Sequence, residues 1–329
     1  MNNRRAFIKT SATAGMGVGI LGAALASESA TNREKRIGII GLDTSHSVAF
    51  TREFNAPNPD PALRGYRVVA AYPYGSRTIE SSFSRIDGYT EEIKKWGVAI
   101  VGSISALLDM VDVVLLETND GRLHLEQALP VIAAQKPLFI DKPMAASLHD
   151  AIAIFEEADK KGVPVFSCSS LRYMEPLQAV ARGDHGEVFG ATAWSPAIIE
   201  PTHPDLFWYG IHGVEILFTA MGRGCKTVTR FHTPGTEVVV GTWHDNKVGT
   251  FRGIRDGRRE YGGVAFTGQG HVNLGPYSGY KPQLLDIARF FDTGISGVDP
   301  LETLEILAFM EAADKSKAAG GAPIKMPIV

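Results

Sequence analysis

The chain has 329 residues, of which 44% are hydrophobic and 21% charged; a single core is stretched at that length, so about two domains with a cleft between them are expected. Its 33 basic residues are outnumbered by 36 acidic ones, for a net charge of -3, and they form no long block of one sign. That weighs against a nucleic-acid partner, because a duplex-binding protein needs a basic face to displace counterions from phosphates.

In chain order, residues 1–30 come first as a segment unlike the rest. Arg4, Arg5 and Lys9 precede a run of small apolar residues from Ala12 to Ala26 that ends in Ala24-Leu25-Ala26. A basic region, an apolar region and a small-residue cleavage site in that order read as a twin-arginine export signal and linker, cut after Ala26. A periplasmic or otherwise exported protein is therefore expected. The apolar run falls short of the ~20 residues of a spanning helix, and no later segment is a better candidate, so no stable membrane span is expected. Cys168 and Cys225 are far apart and read as buried free thiols.

From Arg36 to about residue 170, short apolar runs alternate with helix-length segments, the pattern of a parallel sheet covered on both faces. The predicted strands are Ile37–Gly41, Arg67–Tyr72, Val98–Val101, Val111–Glu117, Pro137–Asp141 and Val163–Ser167. The clearest helix is capped by Ser147, carries Leu148, Ala151, Ile152, Phe155 and Ala158 at helical spacing, and ends at Gly162. Over 171–329 the alternation stops. Strands are predicted at Gly186–Trp194, Lys226–His232, Val238–Trp243, Gly249–Ile254 and Glu260–Phe266, with a hairpin signal at Asp256-Gly257. Near the end, Asp299-Pro300-Leu301-Glu302 opens a helix with an N-cap, a proline and a capping carboxylate. The fold class is an α/β Rossmann-like doubly wound parallel sheet plus an α+β domain with a mainly antiparallel sheet.

In an open parallel sheet a ligand sits beyond the carboxyl ends of the strands. Those ends carry Leu42-Asp43-Thr44-Ser45-His46, Glu117-Thr118-Asn119-Asp120 and Asp141-Lys142-Pro143. With Ile37-Gly38-Ile39-Ile40-Gly41-Leu42 as opening strand, Asn119 and His124 after the fourth, and Asp141-Lys142-Pro143 for a Glu-Lys-Pro motif, the sequence resembles the glucose-fructose oxidoreductase/inositol dehydrogenase/MocA family from about Arg36 to the C-terminus. The resemblance implies a dinucleotide-binding domain over 36–170 and a substrate and dimerisation domain over 171–329, with the last helix able to pack back on the first. It also implies NADP or NAD as cofactor, a sugar-like substrate, a homo-dimer or higher homo-oligomer, and hydride exchange at a carbinol carbon.

The cofactor positions depart from the usual pattern. Of the three fingerprint glycines, which serve a tight turn, approach to pyrophosphate and helix packing, only Gly41 is present; Asp43 and His46 stand at the other two. Two readings of Asp43, Thr44 and Ser45 stand open: phosphate contact, or capping of the following helix. After the second strand there is no carboxylate for ribose hydroxyls. Ser76-Arg77 resembles the pair that holds a 2′-phosphate in NADP-dependent relatives, against the plainer reading of a solvated arginine. Asn119, His124 and Asp141 complete the expected cofactor set.

In the second domain, His212 matches the family's catalytic histidine, while its aspartate partner, four residues earlier, is replaced by Trp208. Lys142, His212 and Tyr209 are the expected catalytic residues, with His203 and Glu215 expected to meet substrate. No metal is expected; His203, His212 and Glu215 form only a weak alternative set, because neither spacing nor ligand number is diagnostic. Retention of a tightly held cofactor reconciles export with a dinucleotide domain. Two rivals follow from the altered positions: a non-redox lyase, hydrolase or epimerase, and a sugar-binding protein on the same scaffold.

Overall fold

The computed structural model describes residues 34–327, so the expected export signal lies outside the described residues. Six parallel strands form the first sheet: β1 (Lys35–Ile40), β2 (Tyr66–Tyr72), β3 (Ala99–Ile100), β4 (Val113–Leu116), β5 (Leu138–Asp141) and β6 (Val165–Cys168). Their order is β3-β2-β1-β4-β5-β6. Because β1 lies between β2 and β4, the crossovers leave it in opposite directions and open a crevice at its carboxyl end.

Burial on both faces explains the continuous apolar runs of β4 and β5. One face packs on the helices His124–Ala133 and Leu148–Lys161 through Val131, Ile132, Ala151, Ile154 and Ala158. Ser147 caps the second of these through its contact with the Asp150 N–H, and Gly162 ends it in the left-handed conformation. The other face packs on the helix Ser45–Phe54 and on a helix that arrives much later, Lys281–Thr293. Phe290 of that late helix meets Phe166 with ring centroids 4.6 Å apart, and Phe166 meets Phe139 at 5.1 Å.

The second sheet has seven strands: β7 (Val188–Pro196), β8 (Cys225–His232), β9 (Thr236–Trp243), β10 (Val248–Ile254), β11 (Gly262–Thr267), β12 (Gly270–Asn273) and β13 (Ile324–Lys325). They run in the order β12-β11-β7-β10-β9-β8-β13. The hairpin expected at Asp256-Gly257 is not formed. Gly257 does take a positive φ, but β7 inserts between β10 and β11, parallel to the first and antiparallel to the second. A turn signal reports local backbone geometry and says nothing about a strand made much earlier in the chain. The hydrophobic helix Ile211–Met221 lies on the inner face, close enough that a Cβ on Gly213 would come within 2.3 Å of the Phe251 ring. On the outer face Phe231, Val248 and Phe266 are exposed.

Among the described residues no helix is long and apolar enough to cross a membrane. Cys168 and Cys225 are both buried and free.

Candidate active site

A cavity of about 360 Å³ opens at the carboxyl edge of the first sheet, facing the second. On the first-sheet side it is lined by Thr44, Ser45 and His46, by Asn119 beyond β4, and by Lys142 directly after β5. The opposite wall carries Trp208, Tyr209 and His212, with Tyr261, Tyr277 and Tyr280 closing it. A wider groove of about 850 Å³ elsewhere on the surface contains neither Lys142 nor His212. Size therefore does not pick out the site; the reactive side chains do.

The Asp43 carboxylate does not face the cavity as a phosphate-repelling charge. It is fully buried and accepts the backbone N–H groups of Ser76 at 2.8 Å and Asn119 at 2.9 Å. One side chain thus ties together the segments that follow β1, β2 and β4. Burial raises its pKa, against the lowering effect of those N–H groups. The approach is tight: a Cβ on Gly75 would lie 2.4 Å from the Asp43 carboxylate, and one on Gly41, where φ is +94°, would lie 2.4 Å from the Thr118 nitrogen. Of the two readings left open for this loop, capping is realised by Thr44, whose hydroxyl accepts the His46 N–H.

Asp141 and Lys142 are both buried. Asp141 Oδ2 lies 2.8 Å from His46 Nδ1 and 3.7 Å from Lys142 Nζ. Burial works to raise Asp141, but His46 and Lys142 outweigh it and hold the carboxylate below its usual range. Beside it, burial and then the charge of Asp141 push Glu117 well above the usual range. His212 Nδ1 is 2.7 Å from Ser169 Oγ, which leaves Nε2 for a ligand. Burial, then the charges of Lys142 and His46, drive the His212 pKa well below 6.5. The ring is therefore neutral near pH 7 and can exchange a proton.

Several expected site residues are placed elsewhere. His124 is completely buried, its Nε2 2.6 Å from the Thr118 carbonyl and its Nδ1 3.2 Å from that of Met144; it braces two loops and does not line the cavity. Ser76 donates to Asp120, and exposed Arg77 lies over the Tyr74 ring at 4.9 Å. Glu215 does not line the cavity: it accepts the Ser169 N–H and the Arg172 Nε–H, both at 3.1 Å. His203 is buried against Trp208, with Nε2 3.2 Å from Asp120. The alternative metal set His203, His212 and Glu215 is consequently not assembled, since two of its members serve other partners.

Residues outside the sequence expectation also reach the cavity. Arg85 and Ser81, beyond β2, line it, as do the three tyrosines of the second half. Ser169 follows β6 and could have been found by extending the strand-end rule to the sixth strand. No spacing signal marks the tyrosines, which come together only through the tertiary fold.

The first-sheet wall fits a dinucleotide. The N-terminus of the ten-residue helix Ser45–Phe54 meets the cavity through Thr44 and Ser45, with the Arg85 guanidinium on the same lining, and a helix N-terminus with a nearby cation suits phosphate. A doubly wound sheet with a helix N-terminus at its switch point, faced by a second sheet whose inner helix presents a histidine, fits a dinucleotide-dependent oxidoreductase. Residues 35–168 match the model of the oxidoreductase family with an NAD-binding Rossmann fold, GFO_IDH_MocA. No curated protein matches the chain by sequence. Among solved structures it is similar to an oxidoreductase from Agrobacterium radiobacter in complex with NAD+, L-tartaric acid and magnesium, at 16% identity and a TM-score of 0.70 over 89% of this chain and 98% of that one. It is also similar to myo-inositol dehydrogenase from Lactobacillus casei in complex with NAD(H) and myo-inositol, at 14% identity and a TM-score of 0.70 over 90% and 97% of the chains. A third is myo-inositol 2-dehydrogenase from Lactobacillus plantarum, at 15% identity and a TM-score of 0.70 over 90% and 100%.

Proposed function

We propose that the protein is an exported oxidoreductase that interconverts a hydroxyl and a carbonyl on a sugar or polyol, with NADP or NAD held tightly. The observation that carries this reading is that Lys142 and His212, from opposite walls, line one cavity beside a helix N-terminus. Thr44, Ser45, Arg85 and Asn119 would hold the dinucleotide, which supplies hydride exchange when bound. Lys142 Nζ would hold the reacting oxygen, and His212 Nε2 would give or take its proton. Ser169 fixes the His212 ring. Burial pushes Tyr261 up to about 12 and also raises Tyr277 and Tyr280, so these hydroxyls keep their protons and can donate to substrate oxygens. Trp208 takes the place of a second acid, and Tyr261 and Tyr209 flank the His212 ring, with centroids 5.5 and 5.9 Å away. The polyhydroxylated ligands of two similar structures, myo-inositol and L-tartaric acid, support an oxygen-rich substrate.

The test is to purify the protein without added cofactor and record nicotinamide absorbance and fluorescence, then add a panel of sugars and polyols. A bound dinucleotide whose reduction state responds to one of them is expected. A protein that neither retains nor binds NAD(H) or NADP(H) would refute the reading. Export is tested separately by replacing Arg4 and Arg5 with lysine, which should leave precursor in the cytoplasm; normal export of that variant would remove the signal assignment. The apolar outer face of the second sheet supports assembly with a second copy.

A further inference from the structure

We propose that His46, Glu117 and Asp141 form a binding site for one first-row divalent cation, manganese or zinc, beneath the cavity. The three side chains come from the first turn of the helix after β1, from the residue after β4 and from the last residue of β5. Since β1, β4 and β5 are successive neighbours in the sheet, these positions converge. A histidine nitrogen and one oxygen from each carboxylate lie within 4.8 Å of one another. Metal–ligand bonds of about 2.0–2.2 Å bridge donors up to about 4 Å apart, so an ion enters with shifts of under about 1 Å.

Proximity alone would describe an acidic cluster; the unpaired oxygens make it a site. Glu117 has no exposed surface, and neither of its carboxylate oxygens has a hydrogen-bond partner among the described residues. Asp141 Oδ1 is likewise without one. Buried polar atoms are nearly always paired, and an exception calls for a physical cause such as an ion. The nearby cations do not supply it: His46 and Lys142 both address Asp141 Oδ2, leaving Glu117 unserved. One imidazole with two carboxylates suits a first-row ion, whereas calcium takes six to eight oxygens and magnesium keeps several waters in an octahedral shell. Ion uptake is independent of the hydride chemistry, because it is read without dinucleotide or sugar.

The experiment strips the full-length protein with a chelator, dialyses it against limiting MnCl2 or ZnCl2, and measures retained metal by atomic emission and bound Mn2+ by electron paramagnetic resonance. One equivalent is expected. Groups that merely orient metal ligands are worth about 10–100-fold in affinity, so Glu117→Gln and His46→Gln should each weaken binding at least ~100-fold. His149→Ala, at a surface histidine, should bind like the parent. Circular dichroism establishes folding; if Glu117→Gln does not fold, His46→Gln decides alone, its ring being partly exposed. Failure of the parent to retain an equivalent would overturn the site. So would parental affinity in either folded ligand variant, or an equal loss in His149→Ala.

Discussion

Lys142 shows how far chemistry can be read from a single position. The sequence places it immediately after a predicted strand, and the structure puts its amine in the cavity wall, 3.7 Å from the Asp141 carboxylate. Replacing it with methionine keeps an unbranched chain and removes charge and proton. The expected result is a folded protein with dinucleotide affinity close to the parent and a turnover lower by about 10²–10⁴-fold, as for loss of a general acid–base group. Single-turnover reduction of bound cofactor measures this, and a parental rate would exclude the role. Two arginines near the second strand are placed differently. Arg77 lies over a tyrosine ring at the surface, whereas Arg85 lines the cavity, so Arg85→Ala should weaken NADP binding by roughly 10–150-fold, the loss of a charge-assisted hydrogen bond. Arg77→Ala should leave it nearly unchanged; fluorescence titration compares the two. His124, Glu215 and Asp43 are legible in the sequence as polar residues at the right strand ends or helix. Their direction is not, because what each bonds to is set by loops distant in sequence.

Elements are easier to read than their partners. All six strands of the first sheet fall within a few residues of their apolar runs, because burial on both faces leaves a continuous hydrophobic signature. The short strands β12 and β13 carry no such run and leave no sign in the sequence. The helix Ile211–Met221 contains a further buried charge system, in which Arg172 is shared by Glu215 and Glu302. One guanidinium for two carboxyls leaves one carboxyl in excess, and burial raises Glu215 to about 7 even against Arg172. The sign is opposite to that of a well-paired carboxylate. Between its ordinary value of 4.5 and about 7 the folded protein holds a proton that the unfolded chain has released, so stability falls as pH rises through that window. The loss is complete above it and amounts to at most roughly 3 kcal/mol. Glu215→Gln should flatten urea midpoints measured from pH 5 to 8, though not entirely, since Asp314 is also raised, to about 6. An unchanged slope would show that Glu215 is ionised throughout.

At the scale of the whole molecule, the two faces of the second sheet have different fates. Its inner face is covered by the helices Ile211–Met221 and Pro300–Ala318, while the outer one leaves Phe231 and Phe266 about half exposed or more, at 62% and 50%. Phe266 and the exposed Val248 flank Gly190 at the same register on that face, and adjoining exposed apolar side chains mark an interaction site. Phe266→Glu should shift sedimentation toward the monomer without changing the circular dichroism spectrum; an unaltered oligomer would move the interface elsewhere.

The late helix Lys281–Thr293 has a consequence for synthesis. Phe290 completes a packing row that begins at Phe139 and Phe166, and Asp292 closes onto Lys35, Arg64 and Tyr66. While a ribosome is still making the middle of the chain, the first sheet therefore has one face only partly covered, with everything between Phe166 and its partner Phe290 still to come. Folding of the amino-terminal half is consequently tied to near-completion of translation. Nascent chains arrested before Phe290 emerges should remain open to protease within residues 34–170, and chains long enough to expose residue 293 should become resistant there.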